Sequence, residues 1–175
     1  MQIKKLKKIG ILGGTFDPAH TGHVKISSIA KRKYKLEYII WAVTKKNPFK
    51  KKTHYNLKKR ILLANLISKN KAFIKVRYYE DKIRSNKTYK LIEYLKNKNL
   101  KFKLFLIMGA DNLINFHKWD RWKEISSNCN ILVFDREGYK AKSLKSKSFK
   151  KLNKNGLQFI RFKKVNISSS KLRKI

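Results

Sequence analysis

Six short apolar runs alternate with segments of helical spacing, and this alternation constrains the fold of the chain more than any other feature. Residues 20–33, 55–68 and 88–98 carry apolar positions at helical spacing, and 138–155 is a lysine-rich stretch expected at the surface. The apolar runs lie at 9–12, 37–43, 73–79, 102–108, 131–134 and 157–162. Strands that alternate with helices predict an α/β fold, a Rossmann-like doubly wound parallel sheet with helices on both faces.

Length and composition restrict the class of protein further. With 175 residues, the chain is expected to form one domain over 1–175, without a linker or internal repeat. No apolar run approaches the roughly 18 residues that cross a bilayer, so no membrane association is expected. The basic start resembles an export leader, but its apolar part is too short and Asp17 interrupts it, which favours a cytoplasmic location. A single cysteine, Cys129, excludes a disulfide framework and a multi-thiolate zinc site.

The charge of the chain is extreme, since 46 Lys and Arg against 10 Asp and Glu give +36. A field of this sign attracts nucleic acids and phosphorylated ligands. Proteins that recognise phosphate usually concentrate arginine, whereas this chain is rich in lysine, asparagine and isoleucine, as an AT-rich genome would produce. The sequence therefore favours compositional drift, with weak, salt-sensitive binding of polyanions expected as a side effect.

The segment GGTFDPAHTGH, residues 13–23, is the most informative for chemistry. It follows the first apolar run and opens a helix, so small residues let a phosphate approach the backbone and the helix N-terminus supplies free N–H groups. His20 and His23 share one helical face, where both imidazoles can donate to phosphate oxygens as charge develops. The segment is neither a dinucleotide fingerprint nor a P-loop, because both glycine patterns are absent.

The carboxyl ends of parallel strands meet at one edge, so 13–23, 44–52, 109–122 and 166–173 are expected around one pocket. There Asp111 can bond a ribose hydroxyl or cap a helix. Trp119, in a polar context, offers a flat face for an aromatic ring, whereas Trp122 fits a core position better. The serines 168–170, with Arg173 one turn on, would form a phosphate clamp or an ordinary helix cap.

The histidine segment resembles the signature of the nucleotidylyltransferase superfamily, and the chain as a whole is similar to the bacterial nicotinate-nucleotide adenylyltransferase family. Further blocks match that family in the same order along the chain. They are the NPFK loop at 47–50 with its phosphate-binding lysine, Arg60, IMGADN at 107–112 followed by Trp119 and Trp122, REGY at 136–139, and ISSSKLR at 167–173.

The resemblance implies adenylyl transfer from ATP to nicotinate mononucleotide, giving deamido-NAD and pyrophosphate. Mg²⁺ would arrive with ATP, and no metal ligands from the protein are expected. The implied catalytic residues are His20, His23 and Lys50. The implied mononucleotide-binding residues are Asp17, Lys50, Thr88 and Trp119. The implied ATP-binding residues are Gly13, Gly14, Thr15, Phe16, His20, His23, Gly109, Asp111, Ser168, Ser169 and Arg173.

Three departures from the family pattern bear on these expectations. Only Thr88 remains of a substrate-side Tyr-Thr-x-Asp-Thr pattern, and Glu137 replaces the proline of R-P-G-Y. Relatives continue with a further helix after Arg173, so the clamp segment 166–175 is expected to be short and to become ordered on binding ATP.

Three alternatives stay open at this stage. A pantetheine-phosphate or cytidylyl transferase would share the histidine segment, although the 109–122 block argues against both. A basic RNA-binding protein would explain the charge but has no use for paired histidines, and an inactive remnant would explain the short clamp segment. Oligomeric state and the preference for nicotinate over nicotinamide stay open.

Overall fold

A parallel sheet forms the centre of the computed structural model, which describes residues 6–46, 53–98, 101–152, 156–161 and 169. Its six strands are β1 (Lys7–Gly14), β2 (Tyr38–Val43), β3 (Ile74–Tyr78), β4 (Phe102–Gly109), β5 (Asn130–Phe134) and β6 (Leu157–Ile160). They are arranged in the order β3-β2-β1-β4-β5-β6, with every neighbouring pair parallel. The expected Rossmann-like α/β fold is confirmed.

Helices cover both faces of this sheet. On one face lie α1 (Thr21–Tyr34) and α2 (Leu57–Ser68), whose Ala30 and Ala64 are fully buried against the strands. The other face is covered by α4 (Thr88–Lys98), α5 (Ala110–Asn115), α6 (Trp122–Asn128) and α8 (Lys147–Leu152). The remaining helical elements are the short α3 (Glu80–Ile83), a 3₁₀ turn (Phe116–Lys118) and α7 (Lys140–Leu144). Within the described part of the chain, no helix is long and apolar enough to cross a membrane.

Alternate residues of each strand enter different cores, as the two-residue period of a strand requires. In β1, Ile9 and Ile11 face the α4 side, whereas Leu12 faces the α1 side. Gly10 allows the α1-side core to close, because a Cβ there would lie 2.9–3.1 Å from side-chain carbons of Ile39, Leu36 and Ile107. Cys129, after α6, is buried in the α4-side core, and this burial raises the pKa of its thiol to about 12.

Two helical segments differ from the sequence expectation. The apolar spacing over 55–68 predicts that Leu62 and Leu66 face the sheet, but they are 57% and 59% exposed. The stretch 138–155, expected as lysine-rich surface, instead contains α7 and α8. Both bury small side chains, because Ser143 and Ser148 are fully inaccessible and the hydroxyl of Ser148 accepts from the backbone N–H of His117 at 2.9 Å.

The strand order creates a crevice at the carboxyl ends of β1 and β4. From β1 the chain crosses through α1 to β2, on one face, whereas from β4 it crosses through α5 and α6 to β5, on the other. Helices that leave neighbouring strands in opposite directions open a gap between their loops, which is where ligands of such sheets bind. Gly14 and Gly109, the last residues of the two strands, lie at this gap.

Candidate active site

His20 and His23 together cap the N-terminus of α1. His20 is the N-cap residue, and its Nδ1 accepts a hydrogen bond from the backbone N–H of Gly22 at 3.1 Å. The backbone N–H of His20 in turn donates to Nδ1 of His23 at 3.1 Å. The ring centroids are 3.9 Å apart. This is a capping box in which imidazoles take the positions that serine and glutamate usually occupy.

These hydrogen bonds determine which nitrogen of each ring carries the proton. A backbone N–H can only donate, so each Nδ1 accepts, and the neutral ring then holds its proton on Nε2. Burial, and after it the positive charge of Arg136, lower the pKa of His20 from 6.5 to about 4. At neutral pH His20 is therefore an uncharged hydrogen-bond donor rather than a cation.

The turn between β1 and α1 combines open space with a buried anchor. A Cβ added at Gly13 would meet nothing within 4 Å, so the backbone is accessible to a ligand there. Thr15 is half-buried, with its carbonyl held by Arg60. Phe16 is only 2% exposed, and its ring stacks on Trp41 at 5.1 Å and lies 5.0 Å from the ring of His23. The side chain of Phe16 thus packs against the ring of His23. Because this side chain is buried, the predicted contact of Phe16 with ATP would have to come from its main chain.

The carboxylate of Asp17, predicted to bind the mononucleotide, accepts hydrogen bonds from the protein's own backbone. Its side chain is buried, and its two carboxylate oxygens accept from the backbone N–H groups of His54 and Tyr55 at 2.7 and 2.9 Å. These residues lead into α2. The carboxylate therefore ties the turn after β1 to the start of α2. The family resemblance implied a substrate contact, and no local pattern in the sequence shows which N–H groups this carboxylate meets.

Arg60 binds the same region from the opposite side, in a role that the sequence did not indicate. It is 1% exposed, and among the described residues its guanidinium donates to four backbone carbonyls, those of Tyr55 at 3.1 Å, Thr15 at 2.5 Å, Thr44 at 2.8 Å and Lys45 at 3.0 Å. Four bonds to three separate segments fix the loops after β1 and β2 relative to α2.

Glu80, which sequence reasoning also missed, provides a third set of hydrogen bonds to this region and fixes the loop after β2. Its carboxylate accepts from the hydroxyl of Thr44, and both of its oxygens lie 3.2 Å from the backbone N–H of Lys45. This loop leads to Lys50, the predicted catalytic lysine, which lies outside the described residues. No local motif joins Glu80 to Thr44, because the contact depends on neighbouring parallel strands ending at one edge.

On the β4 side of the crevice, Asp111 lies in the first turn of α5 and forms an ion pair with Arg136 at 2.5 Å. Its other oxygen, Oδ1, is buried and has no hydrogen-bond partner among the described residues. Gly109 leaves room for this oxygen, since a Cβ there would lie 2.5 Å from it. Asp111 thus offers one buried acceptor for which a ligand donor fits.

The predicted nicotinate-side residues, Thr88 and Trp119, lie on neighbouring segments. Lys87 pairs with Asp120 at 3.7 Å, which joins the start of α4 to the turn that carries Trp119. The Trp119 ring is half-buried and edge-on to Phe116 at 5.2 Å, and Trp122 has a similar position at 6.0 Å. The expected contrast between an open Trp119 and a core Trp122 is therefore smaller than predicted.

Ser169 brings the end of the chain to the histidine turn. Its hydroxyl donates to the carbonyl of Pro18 at 2.9 Å, across 151 positions of sequence. This contact supports the expected convergence of the 166–173 segment on the pocket. Ser168 and Arg173 of the predicted clamp lie outside the described residues, as does the rest of the 166–175 segment, whose ordering by ATP stays a prediction.

Comparison with known proteins adds the family. Residues 11–175 match the cytidylyltransferase-like family. A probable nicotinate-nucleotide adenylyltransferase of Pelagibacter ubique (strain HTCC1062) is 62% identical over 98% of this chain and 95% of that protein. Another, of Rhizobium meliloti (strain 1021), is 36% identical over 74% of this chain and 69% of that one. The chain belongs to the nicotinate-nucleotide adenylyltransferase family.

A solved structure supports the fold assigned to this member of the family. The Plasmodium falciparum nicotinic acid mononucleotide adenylyltransferase complexed with NaAD aligns with a TM-score of 0.75, covering 96% of this chain and 83% of that one. At 21% identity this likeness concerns the fold alone.

Proposed function

We propose that this chain transfers the adenylyl group of ATP to nicotinate mononucleotide, giving deamido-NAD and pyrophosphate in NAD biosynthesis. The observation that carries the proposal is the pair of mutually capped histidines at the β1–α1 turn, in a chain 62% identical to a relative of that name. ATP is a cytoplasmic metabolite, and the proposal places the reaction in the cytoplasm.

The reaction needs little covalent help from the protein. An oxygen of the mononucleotide phosphate forms a bond to the α-phosphorus of ATP, and the bond from that phosphorus to the oxygen bridging to the β-phosphate breaks. Pyrophosphate leaves with that oxygen and its electron pair. Because the attacking phosphate is already ionised, no general base is required, and catalysis depends on position and on stabilising charge.

The histidines supply part of that stabilisation as neutral donors. Since Nδ1 of each ring accepts from a backbone N–H, a neutral ring would donate to the phosphates through Nε2–H. Such preorganised donors cost no rearrangement as charge builds on the transferring phosphorus. We assign the remaining positive charge to Lys50 and Arg173, and further phosphate contacts to Gly13, Ser168 and Ser169.

The two remaining parts of the substrates have separate partners. The buried Oδ1 of Asp111 fits a ribose hydroxyl of ATP, since no donor in the described part of the chain reaches this acceptor. Thr88 and Trp119 would contact the nicotinate ring, which agrees with the ion pair that joins their segments. Mg²⁺ would enter as part of MgATP. The described residues include no group of three or more His, Cys, Asp or Glu placed to hold a metal of their own.

A pyrophosphate-release assay tests the proposal. The full chain is incubated with MgATP and one acceptor at a time, namely nicotinate mononucleotide, nicotinamide mononucleotide or phosphopantetheine, and then with MgCTP in place of MgATP. Release should be fastest with MgATP and nicotinate mononucleotide, and a His23→Asn variant should lose it. Faster release with phosphopantetheine or MgCTP, or none with any pair, would overturn the proposal.

A further inference from the structure

Charged side chains are divided unequally between the two edges of the sheet. Of the ten acidic residues, nine follow the carboxyl end of a strand or lie in the first or central turns of a helix. Among the described residues, Glu37 is the one carboxylate at the amino-terminal edge, and it pairs with Lys7 at 3.1 Å. The acidic residues therefore balance little of the positive charge at that edge.

The helices add cations to the same edge. Crossover helices run antiparallel to the strands they join, so their carboxyl ends lie at the amino ends of the strands. The last turn of α1 carries three basic residues, and those of α4 and α8 carry two each. Lys69 and Lys71 follow α2 directly. The fold thus places lysines from distant parts of the sequence at one edge, where few acidic residues lie beside them.

The favourable interaction of cations with helix carboxyl ends explains only part of this arrangement. Lys7 and Lys8 begin β1, Lys101 and Lys103 lie at the start of β4, and the register places Lys8 directly opposite Lys103. Like charges opposite each other on adjacent strands destabilise a sheet. The strand lysines therefore have a cost that the helix dipole does not offset.

Substrate steering does not explain this edge either. The eight residues of β1 separate it from the histidine turn by about 26 Å, at roughly 3.3 Å per residue. Screening at physiological salt acts over about 8 Å. Positive charge at this distance has little effect on ATP at the histidines, so steering of ATP does not account for the charge at this edge.

We propose that the amino-terminal edge of the sheet binds the phosphodiester backbone of a nucleic-acid duplex without reading its sequence. Dispersed lysines act as point charges that match a regular array of phosphates. Binding of single strands relies on exposed aromatic platforms, and membrane binding on apolar insertion. Of the exposed large apolar side chains in the described part of the chain, Leu6 and Leu66 lie at this edge, on separate elements, and neither is aromatic.

Two variants with the same change of charge test the location. In the edge variant, four exposed lysines at this edge become glutamine: Lys33, Lys69, Lys71 and Lys98. In the control variant, four exposed lysines from first turns and carboxyl-end segments become glutamine: Lys58, Lys82, Lys123 and Lys142. The full-length proteins are titrated against a fluorescein-labelled 20-base-pair DNA duplex by anisotropy, between 50 and 300 mM KCl. Each phosphate contact is expected to contribute about −0.9 to the salt slope, which is the slope of the logarithm of the binding constant against the logarithm of the salt concentration.

The edge variant should lose at least about tenfold in affinity at 150 mM KCl, and its salt slope should become shallower by about 3. The control variant should lose less than about threefold, and all three proteins should release pyrophosphate from ATP equally fast. Equal losses in both variants would show that net charge alone binds DNA and would overturn the proposal. It would also be overturned by no duplex binding at 50 mM KCl, or by tighter binding to vesicles of phosphatidylcholine and phosphatidylglycerol than to the duplex.

Discussion

At the scale of single residues, the histidine turn shows how a backbone can select a tautomer. His20 and His23 use Nδ1 to satisfy the first N–H groups of α1, and this leaves Nε2 as a donor. Folding and chemistry thus use opposite sides of the same ring. A substitution can therefore remove one contribution and keep the other.

Asparagine separates the two contributions at His20. Its side-chain oxygen can accept from the Gly22 N–H as Nδ1 does, but it offers no donor at the position of Nε2. His20→Asn and His20→Ala should both lower kcat by about 10²–10³-fold. His20→Ala should also lose about 0.5–2 kcal/mol of stability, whereas His20→Asn should lose little. Steady-state kinetics and urea unfolding measure both effects, and normal turnover by His20→Asn would contradict the role as donor.

The histidine pair could be predicted because its spacing and its place after an apolar strand are both local in sequence. Asp17, Arg60 and Glu80 could not, because their partners, apart from the Tyr55 carbonyl bound by Arg60, lie between 15 and 45 positions away, on loops that meet only when the sheet forms. Composition does not distinguish a buried carboxylate that binds N–H groups from one that binds substrate.

At the scale of elements, two of the three glycines in β1, Gly10 and Gly13, lack a side chain for opposite reasons. Gly10→Ala should cost about 1–3 kcal/mol, since its Cβ would be within 3.1 Å of three buried side chains. Gly13→Ala should change stability by less than about 1 kcal/mol. It should lower kcat/KM for ATP, because the added methyl group fills the space left for a phosphate. Thermal unfolding and kinetics of both variants check this, and a Gly13→Ala enzyme with normal kcat/KM would count against the phosphate contact.

Trp119 and Trp122 both pack on Phe116, so Trp122 is a control for the proposed stacking of Trp119 on the nicotinate ring. Trp119→Ala should raise KM for nicotinate mononucleotide by roughly 5- to 150-fold, as expected for a loss of about 1–3 kcal/mol of stacking, with KM for ATP almost unchanged. Trp122→Ala should lower Tm and leave the ratio of the two KM values unchanged. If both variants raise both constants together, Trp119 is a packing residue instead.

The type of each long element could be predicted from periodicity, but its orientation and the short elements could not. In α2 the apolar residues surround the helix, so spacing alone does not show that Leu62 and Leu66 face solvent. In α7 and α8 the residues that are buried are mainly serines, and serine carries no hydropathy signal.

At the scale of the whole molecule, pH should act on stability through His20. Its pKa is about 4 in the folded chain, lowered by burial and Arg136, against 6.5 for the ordinary side chain. Between these values the unfolded chain binds more protons, so this contribution is complete above pH 6.5 and is lost as the pH falls towards 4. The free energy of unfolding in urea should fall more steeply over that range for the wild type than for His20→Asn. Parallel curves would contradict the lowered pKa.

Because Cys129 carries a buried thiol, the rate at which a reagent labels this thiol measures how often the folded chain opens around it. It is 6% exposed, with its pKa raised to about 12, so the closed protein gives a maleimide neither access nor a thiolate. Cys129 is the one cysteine of the full sequence. Each labelled molecule therefore records one excursion in which the contact between α6 and the sheet was broken. The rate of labelling then reports the population of that open form without any added probe.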